Sequence, residues 1–177
     1  ILLHGLARTS ASMNAIAEAL RDSGFVVHNV DYASRTAPID QLGDDPAEVV
    51  RAALHARALI LAPAVAGIVC EVLKLVVRRE RPEINAGDYG FRPWDIRPFD
   101  TAGLAMPSSH TMVAFAAATV LARLYPGGRW VWYALAAGCA VTRILAHAHF
   151  LTDVTVGALL GWSAGWGTWI ALRRRSA

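Results

Sequence analysis

"VTVGALLGWSAGWGTWIAL", residues 154–172, runs from Val154 to Leu172 without a charge. A bilayer core about 30 Å thick needs about 20 apolar residues of helix, so this run is long enough to span one. Three apolar segments precede it, 56–77, 108–125 and 129–148, each uncharged over only roughly 12 or 13 central residues. Those lengths also suit buried helices of a soluble protein. Two features favour the membrane. The segments are apolar all round, as in "YALAAGCAV", rather than striped. Tyr125, Trp130, Trp132, Tyr133, Trp166 and Trp169 also gather near one set of segment ends, like an interfacial belt. Gly157, Gly161 and Gly165 recur every fourth residue, a small-residue face suited to close helix packing. The predicted fold is mainly α, a membrane bundle of about four helices.

Composition agrees. The 177 residues are 55% hydrophobic and 18% charged, with mean hydropathy +0.36 and a pI near 9.2. A net charge of +3 is mild. No basic run is interleaved with aromatics, which argues against a nucleic-acid partner. The arginines cluster instead at the ends of apolar segments. Cys70 and Cys139 lie inside apolar stretches without metal-ligand spacing, so buried thiols are expected and a disulfide framework is not. The chain begins at Ile1, and no signal peptide is visible there.

Residues 1–50 have a different character. "ILLHG" reads as a short strand, "SASMNAIAEALRDSG" as an amphipathic helix ending at Gly24, and "FVVHNVDY" as a second strand. Pro38 and "DDPAE" mark a loop. The expected organisation is a β-α-β fragment over 1–50, then a helical membrane domain over 56–177.

If the four helices cross in alternation, the polar groups collect on one side. Lys74 ends the first helix and Arg81-Pro82 follow in its loop. "PSSH", residues 107–110, opens the second helix, Arg143, His147 and His149 close the third, and Asp153 opens the fourth. A charge at mid-bilayer costs roughly 2.5–3.5 kcal/mol, against a total stability of about 5–15 kcal/mol. These groups should therefore share a wet interfacial pocket, where unmatched cations suit a phosphate. The helix entrance adds unpaired N–H groups and two serine hydroxyls. Plainer readings stand beside this one. Arg78, Arg79, Arg92 and Arg97 read as solvated loop charges, Lys74 alone as a snorkelling side chain, and one of the two histidines as structural.

Together these residues resemble the type 2 phosphatidic acid phosphatases, lipid phosphatases related to the vanadium haloperoxidases. "KLVVRRERP" carries Lys74 and Arg81-Pro82, "PSSH" carries Ser108, Ser109 and His110, and "TRILAHAHFLTD" carries Arg143, His149 and Asp153. The sequence departs from that family's pattern with Ser109 in place of a glycine and Thr142 in place of a serine. The first two of the six helices typical of membrane members are not apparent. Residues 1–50 are similar to the start of an α/β-hydrolase, with "LLHG" at the oxyanion-loop position. A G-x-S-x-G pattern, "GWSAG" at 161–165, lies inside an apolar helix rather than after a strand, where a nucleophile elbow belongs.

The resemblance implies a phosphatase that works through a phosphohistidine. His149 would be the nucleophile, Asp153 would hold its other ring nitrogen, and His110 would protonate the leaving group. Lys74, Arg81 and Arg143, with Ser108 and Ser109, would bind the phosphoryl oxygens. No metal and no other cofactor is expected. The expected substrate is a phospholipid or a polyprenyl phosphate or diphosphate. One tension concerns Arg143, which shares a straight helix face with His147 rather than His149. Three other readings remain: a vanadate-dependent haloperoxidase, a serine hydrolase using Ser163, and an inactive membrane fragment. Arg51, Arg57, Arg123, Arg129 and Arg173 to Arg175 fall opposite the polar face. A multi-pass cell-membrane protein would then carry its catalytic face outside the cytoplasm.

Overall fold

The computed structural model describes residues 2–3, 10–30 and 44–174. The protein is mainly helical, and the chain divides into two compact units, Ile1–Arg57 with Leu172–Ala177, and Ala58–Ala171.

In the first unit a 3-10 turn, Ser10–Met13, leads into α1, Asn14–Asp22. Gly24 follows the helix end at φ +85, a left-handed conformation that glycine adopts without a Cβ clash. Among the described residues the flanking strands cover two residues each. β1, Leu2–Leu3, pairs in parallel with β2, Asn29–Val30. Asn29 closes the crossover, its Nδ2 donating to the Ser10 carbonyl (2.8 Å) and to Asn14 Oδ1 (2.9 Å). The expected β-α-β fragment is therefore not supported as a fold. A two-residue ladder buries almost nothing, and Phe25 and Val26, expected in the second strand, remain mostly exposed. His4, Asp31 and Tyr32 lie outside the described residues.

"DDPAE", expected as a loop, instead opens α2, Asp44–Val77. Acidic residues are favoured in a first helical turn by the backbone dipole. Proline is tolerated there because the missing N–H has no partner in any case.

The rest of the helices follow α2 in the chain: α3, Ser109–Leu124; a 3-10 turn, Pro126–Gly128; α4, Arg129–Leu145; and α5, Leu151–Arg174. The glycine row of α5 meets the backbone of α3. A Cβ added at Gly157 would lie 2.9 Å from the Ser108 carbonyl oxygen, and one at Gly165 would lie 2.7 Å from that of Ala116. At Gly161 it would collide with the carbonyl of Met112. The predicted small-residue face is thus a backbone-to-backbone seam. α2 contributes a similar row, with Ala58, Ala62, Ala66, Cys70 and Lys74 buried at four-residue steps.

Large apolar side chains point the other way. Ile60, Ile68, Leu135, Leu145 and Leu159 are all more than 60% exposed. Small residues inside and large aliphatics outside invert the usual soluble pattern and match helices packed in lipid. Among the described residues one helical stretch, Ala52–Val77, is long and apolar enough to cross a membrane, and only 22% of its apolar window is buried. The 154–172 run does not reach that measure despite its length, because glycine, serine, threonine and tryptophan dilute it. Aromatic residues gather where α3 turns into α4: Arg123 lies 3.6 Å over the Trp166 ring, and Tyr125 is 6.5 Å from Trp132. Cys70 is buried as expected, whereas Cys139 is only half-buried; both are free thiols.

Candidate active site

The entrance to α3 is the first part of the site. Ser108 is the N-cap in extended conformation, yet its hydroxyl caps no backbone N–H. Its Oγ accepts instead from Thr111 Oγ1 at 3.1 Å. The Ser108 N–H donates to the Asp153 carbonyl at 3.1 Å, which ties this entrance to the first turn of α5. Ser109 Oγ lies 3.1 Å from Lys74 Nζ, at the end of α2. Lys74 also pairs with Glu71 at 2.8 Å, a carboxylate that the sequence reading did not include.

The end of α4 brings in the histidines. The helix stops at Leu145, and His147 takes φ +53, a left-handed conformation uncommon for a residue with a Cβ. The Ala148 N–H then reaches back to the Arg143 carbonyl at 3.2 Å. This reversal turns His147 into solvent and buries His149, which is 4% exposed. The straight-helix conflict over Arg143 therefore disappears, because no helix continues to His149. Burial pushes the His149 imidazole down to about 4, with the Arg81, Lys74 and His110 charges adding to it and the Ala105 carbonyl opposing. His110, exposed in the first turn of α3, faces Arg143, Lys74 and Arg81.

Asp153 is fully buried. Its Oδ2 accepts from the Phe150 N–H at 2.8 Å and lies 3.7 Å from His149 Nδ1, beyond hydrogen-bond distance. That buried Nδ1 has no hydrogen-bond partner. The expected Asp153–His149 hydrogen bond is thus an approach rather than a bond. The carboxylate's direct cationic partner is Arg79, whose Nη2 bonds Asp153 Oδ1 and also reaches Thr152 Oγ1 at 2.9 Å.

Arg79 was expected in solvent, as were Arg78 and Arg92. All three are buried. The Arg78 guanidinium donates to the carbonyls of Arg92, Pro93, Ile96 and Pro98 at 2.6–3.1 Å. Arg92 donates to those of Asp100 and Ala102. The loop after α2 has almost no ladder hydrogen bonds of its own, so the buried carbonyls recruit guanidinium donors. Arg97 does stay at the surface, 3.6 Å from Asp100. The one sequence signal for Arg79 was its position between Lys74 and Arg81.

Arg81 is half-buried, 3.7 Å from Glu83, and its Nε is a buried donor without a protein acceptor. Beside His110 opens a cavity of about 340 Å³ lined by Ser109, His110, Val113 and Ala114. Among the described residues no three His, Cys, Asp or Glu side chains are grouped to hold a metal ion. Ser163 lies within α5, its hydroxyl donating to the Leu159 carbonyl at 2.9 Å, so "GWSAG" forms no nucleophile elbow.

The chain is similar to the lipid A 1-phosphatase of Porphyromonas gingivalis, 38% identical over 94 residues, which are 50% of this chain and 20% of that protein. It is 31% identical to the lipid A 1-phosphatase of Rhizobium etli over 102 residues, 56% of this chain and 41% of that protein. A third similarity is to the bacitracin transport permease protein BcrC of Bacillus licheniformis, 33% identical over 57 residues, 32% of this chain and 28% of that protein. The chain thus spans well under half the length of these curated relatives. No solved structure matches it. The family model of the PAP2 superfamily matches residues 55–177, more than half of the chain and all of the site described above. The chain belongs to the PAP2 superfamily.

Proposed function

We propose that the protein is a membrane lipid phosphatase, cleaving a phosphate monoester or diphosphate from a lipid through a phosphohistidine. The observation that carries this reading is the meeting of three segments at a buried imidazole: Lys74 of α2 reaches Ser109 at the α3 entrance, 3.1 Å away, and the neighbouring Ser108 is bonded to Asp153, whose carboxylate lies 3.7 Å from His149. His149 Nδ1 faces Asp153, which leaves Nε2 for the phosphorus. The Nε2 lone pair attacks, the P–O bond to the lipid breaks, and His110 gives the leaving oxygen a proton. Water then attacks the phosphohistidine, the P–N bond breaks, and His110 takes back a proton as inorganic phosphate departs. Asp153 stabilises the transient positive charge on the ring, its 3.7 Å approach closing as that charge develops. Lys74, Arg81 and Arg143 neutralise the phosphoryl oxygens, while Ser108, Ser109 and the free amides of the α3 entrance complete the cradle. The partnerless Nε of Arg81 is a donor suited to that role. With three cations doing this work, the step proceeds without a metal.

The cavity beside His110 supports a lipid substrate, since its wall passes from Ser109 and His110 to Val113 and Ala114. The relatives called lipid A 1-phosphatase favour a phosphate carried on a lipid such as lipid A. We place the helices across the membrane in several passes, with the site on the non-cytoplasmic side, on the exposed aliphatic faces and the arginine bias.

The test is phosphate release by purified protein from phosphatidate, a polyprenyl diphosphate and lipid A, each with and without chelator. Turnover is expected to survive chelation, to vanish in His149→Ala and to persist in His147→Ala. Brief incubation with labelled substrate should leave acid-labile, base-stable label on the protein. Label on another residue, or turnover in folded His149→Ala, would sink the mechanism.

A further inference from the structure

We propose that Arg79 is a positioning residue for the His149–Asp153 pair, an assignment that rests on the phosphohistidine reading above. Its contacts are too specific for a general loop staple. Nη2 holds Asp153 Oδ1 and Thr152 Oγ1 together, two neighbouring residues of the first turn of α5. The guanidinium centre lies 5.2 Å from the Tyr89 ring and 5.5 Å from the Phe150 ring, and these rings are 4.4 Å apart. At its backbone, Arg79 forms a bridge with Phe91 and accepts from the Ala105 N–H at 2.7 Å. Main chain and side chain are thus both fixed.

The consequence falls on the carboxylate. Arg79 takes Oδ1 and the Phe150 amide takes part of Oδ2, so the remaining lone pair of Oδ2 is the face turned to His149 Nδ1. The planar guanidinium also supplies the counter-charge that a fully buried carboxylate needs. His149 therefore faces a paired dipole rather than a bare anion. The other charged or titratable groups that act on it are Arg81 from the loop, Lys74 from α2 and His110 from α3. With Arg79 in place, Asp153 faces the Nδ1 edge without holding a second proton on the ring at neutral pH, and the Nε2 lone pair stays available.

Two variants of the full chain in detergent micelles test this. The first is Arg79→Gln, with the protonation midpoint of His149 followed by NMR of labelled histidine and assigned by the signal lost in His149→Gln. The midpoint is expected to rise by about one to two pH units, the scale of one unmasked neighbouring charge. A folded Arg79→Gln protein with an unchanged midpoint would overturn the proposal. The second is Arg79→Lys, which keeps the charge but loses the flat fork and its stacking. It is expected to keep the midpoint within about half a unit, keep KM, and lower kcat about 10- to 100-fold through misplacement of Asp153. A wild-type kcat in Arg79→Lys would equally overturn it, and this variant decides the matter if Arg79→Gln does not fold. The titration needs no turnover. An unmodified chain that releases no phosphate would therefore sink the phosphatase reading while the Arg79 midpoint is still measured.

Discussion

The seam between α3 and α5 and the loop 78–108 are both tightly held, by opposite means. In the seam, side chains are absent: Gly157, Gly161 and Gly165 let one backbone lie on another. In the loop the longest charged side chains go inside, and Arg78 and Arg92 gather carbonyls that no strand partner satisfies. A helix satisfies its own N–H and C=O groups, so only close approach remains to be arranged. An irregular loop must find donors elsewhere, and a guanidinium offers five. Tightness thus follows from backbone pairing in one region and from borrowed donors in the other.

The sharpest way to break this contrast is at Gly161. Any side chain there meets the Met112 carbonyl, which is backbone and cannot swing aside. Gly161→Leu is expected to yield no folded protein, read as loss of the monodisperse peak and of near-UV circular dichroism. A folded variant of normal stability would show that the seam can slide open. Next comes Arg78→Met, which strips donors from at least four carbonyls. It should lower stability by about 2–4 kcal/mol and make the 78–108 loop the first site of proteolysis. A change below about 0.5 kcal/mol would mean that water replaces the guanidinium without penalty.

A third measurement compares the buried and solvent-facing histidines at the end of α4. The folded chain holds His149 down to about 4, below the ordinary histidine value. Its neutral form, the nucleophile of the proposed mechanism, is therefore present above that pH and lost as pH falls through it. The same displacement makes folding stability decline as pH drops from the ordinary histidine range toward 4, because the unfolded chain then binds the extra proton. The acid limb of kcat/KM should accordingly lie near pH 4, and a limb near 6.5 would indicate a solvated nucleophile. The smallest effect belongs to Gly167, outside the seam, where an added Cβ meets nothing within 4 Å. Gly167→Ala should raise stability slightly, by up to about 1 kcal/mol from helix propensity. A loss there would extend the seam beyond the three glycines.

What the sequence revealed was local and periodic. The four-residue glycine spacing specifies a face, and serine and proline before an apolar run specify the entrance to α3. A charge pattern says less about where a side chain ends up. Arg78, Arg79 and Arg92 read as surface residues because their acceptors are loop carbonyls and a distant Asp153, contacts that no short window contains. The "DDPAE" stretch misled differently: the residues that suit a loop also suit a first helical turn, and only the downstream helix decides between them. Phe25 and Val26 carry the residue types of a strand yet lie outside any ladder among the described residues, because a strand needs a neighbour that pairs with it.

The glycine seam also acts as a ruler. At its upper end Ser108 meets Gly157, and there too the Ser108 N–H is bonded to the Asp153 carbonyl. Backbone resting on backbone has no rotamers to adjust, so the offset between the α3 entrance and the first turn of α5 is set in steps of whole helical turns. A tilt of the two helices as a unit leaves that offset unchanged. Ser108 and His110 therefore keep their registration with Asp153 however the pair is tilted.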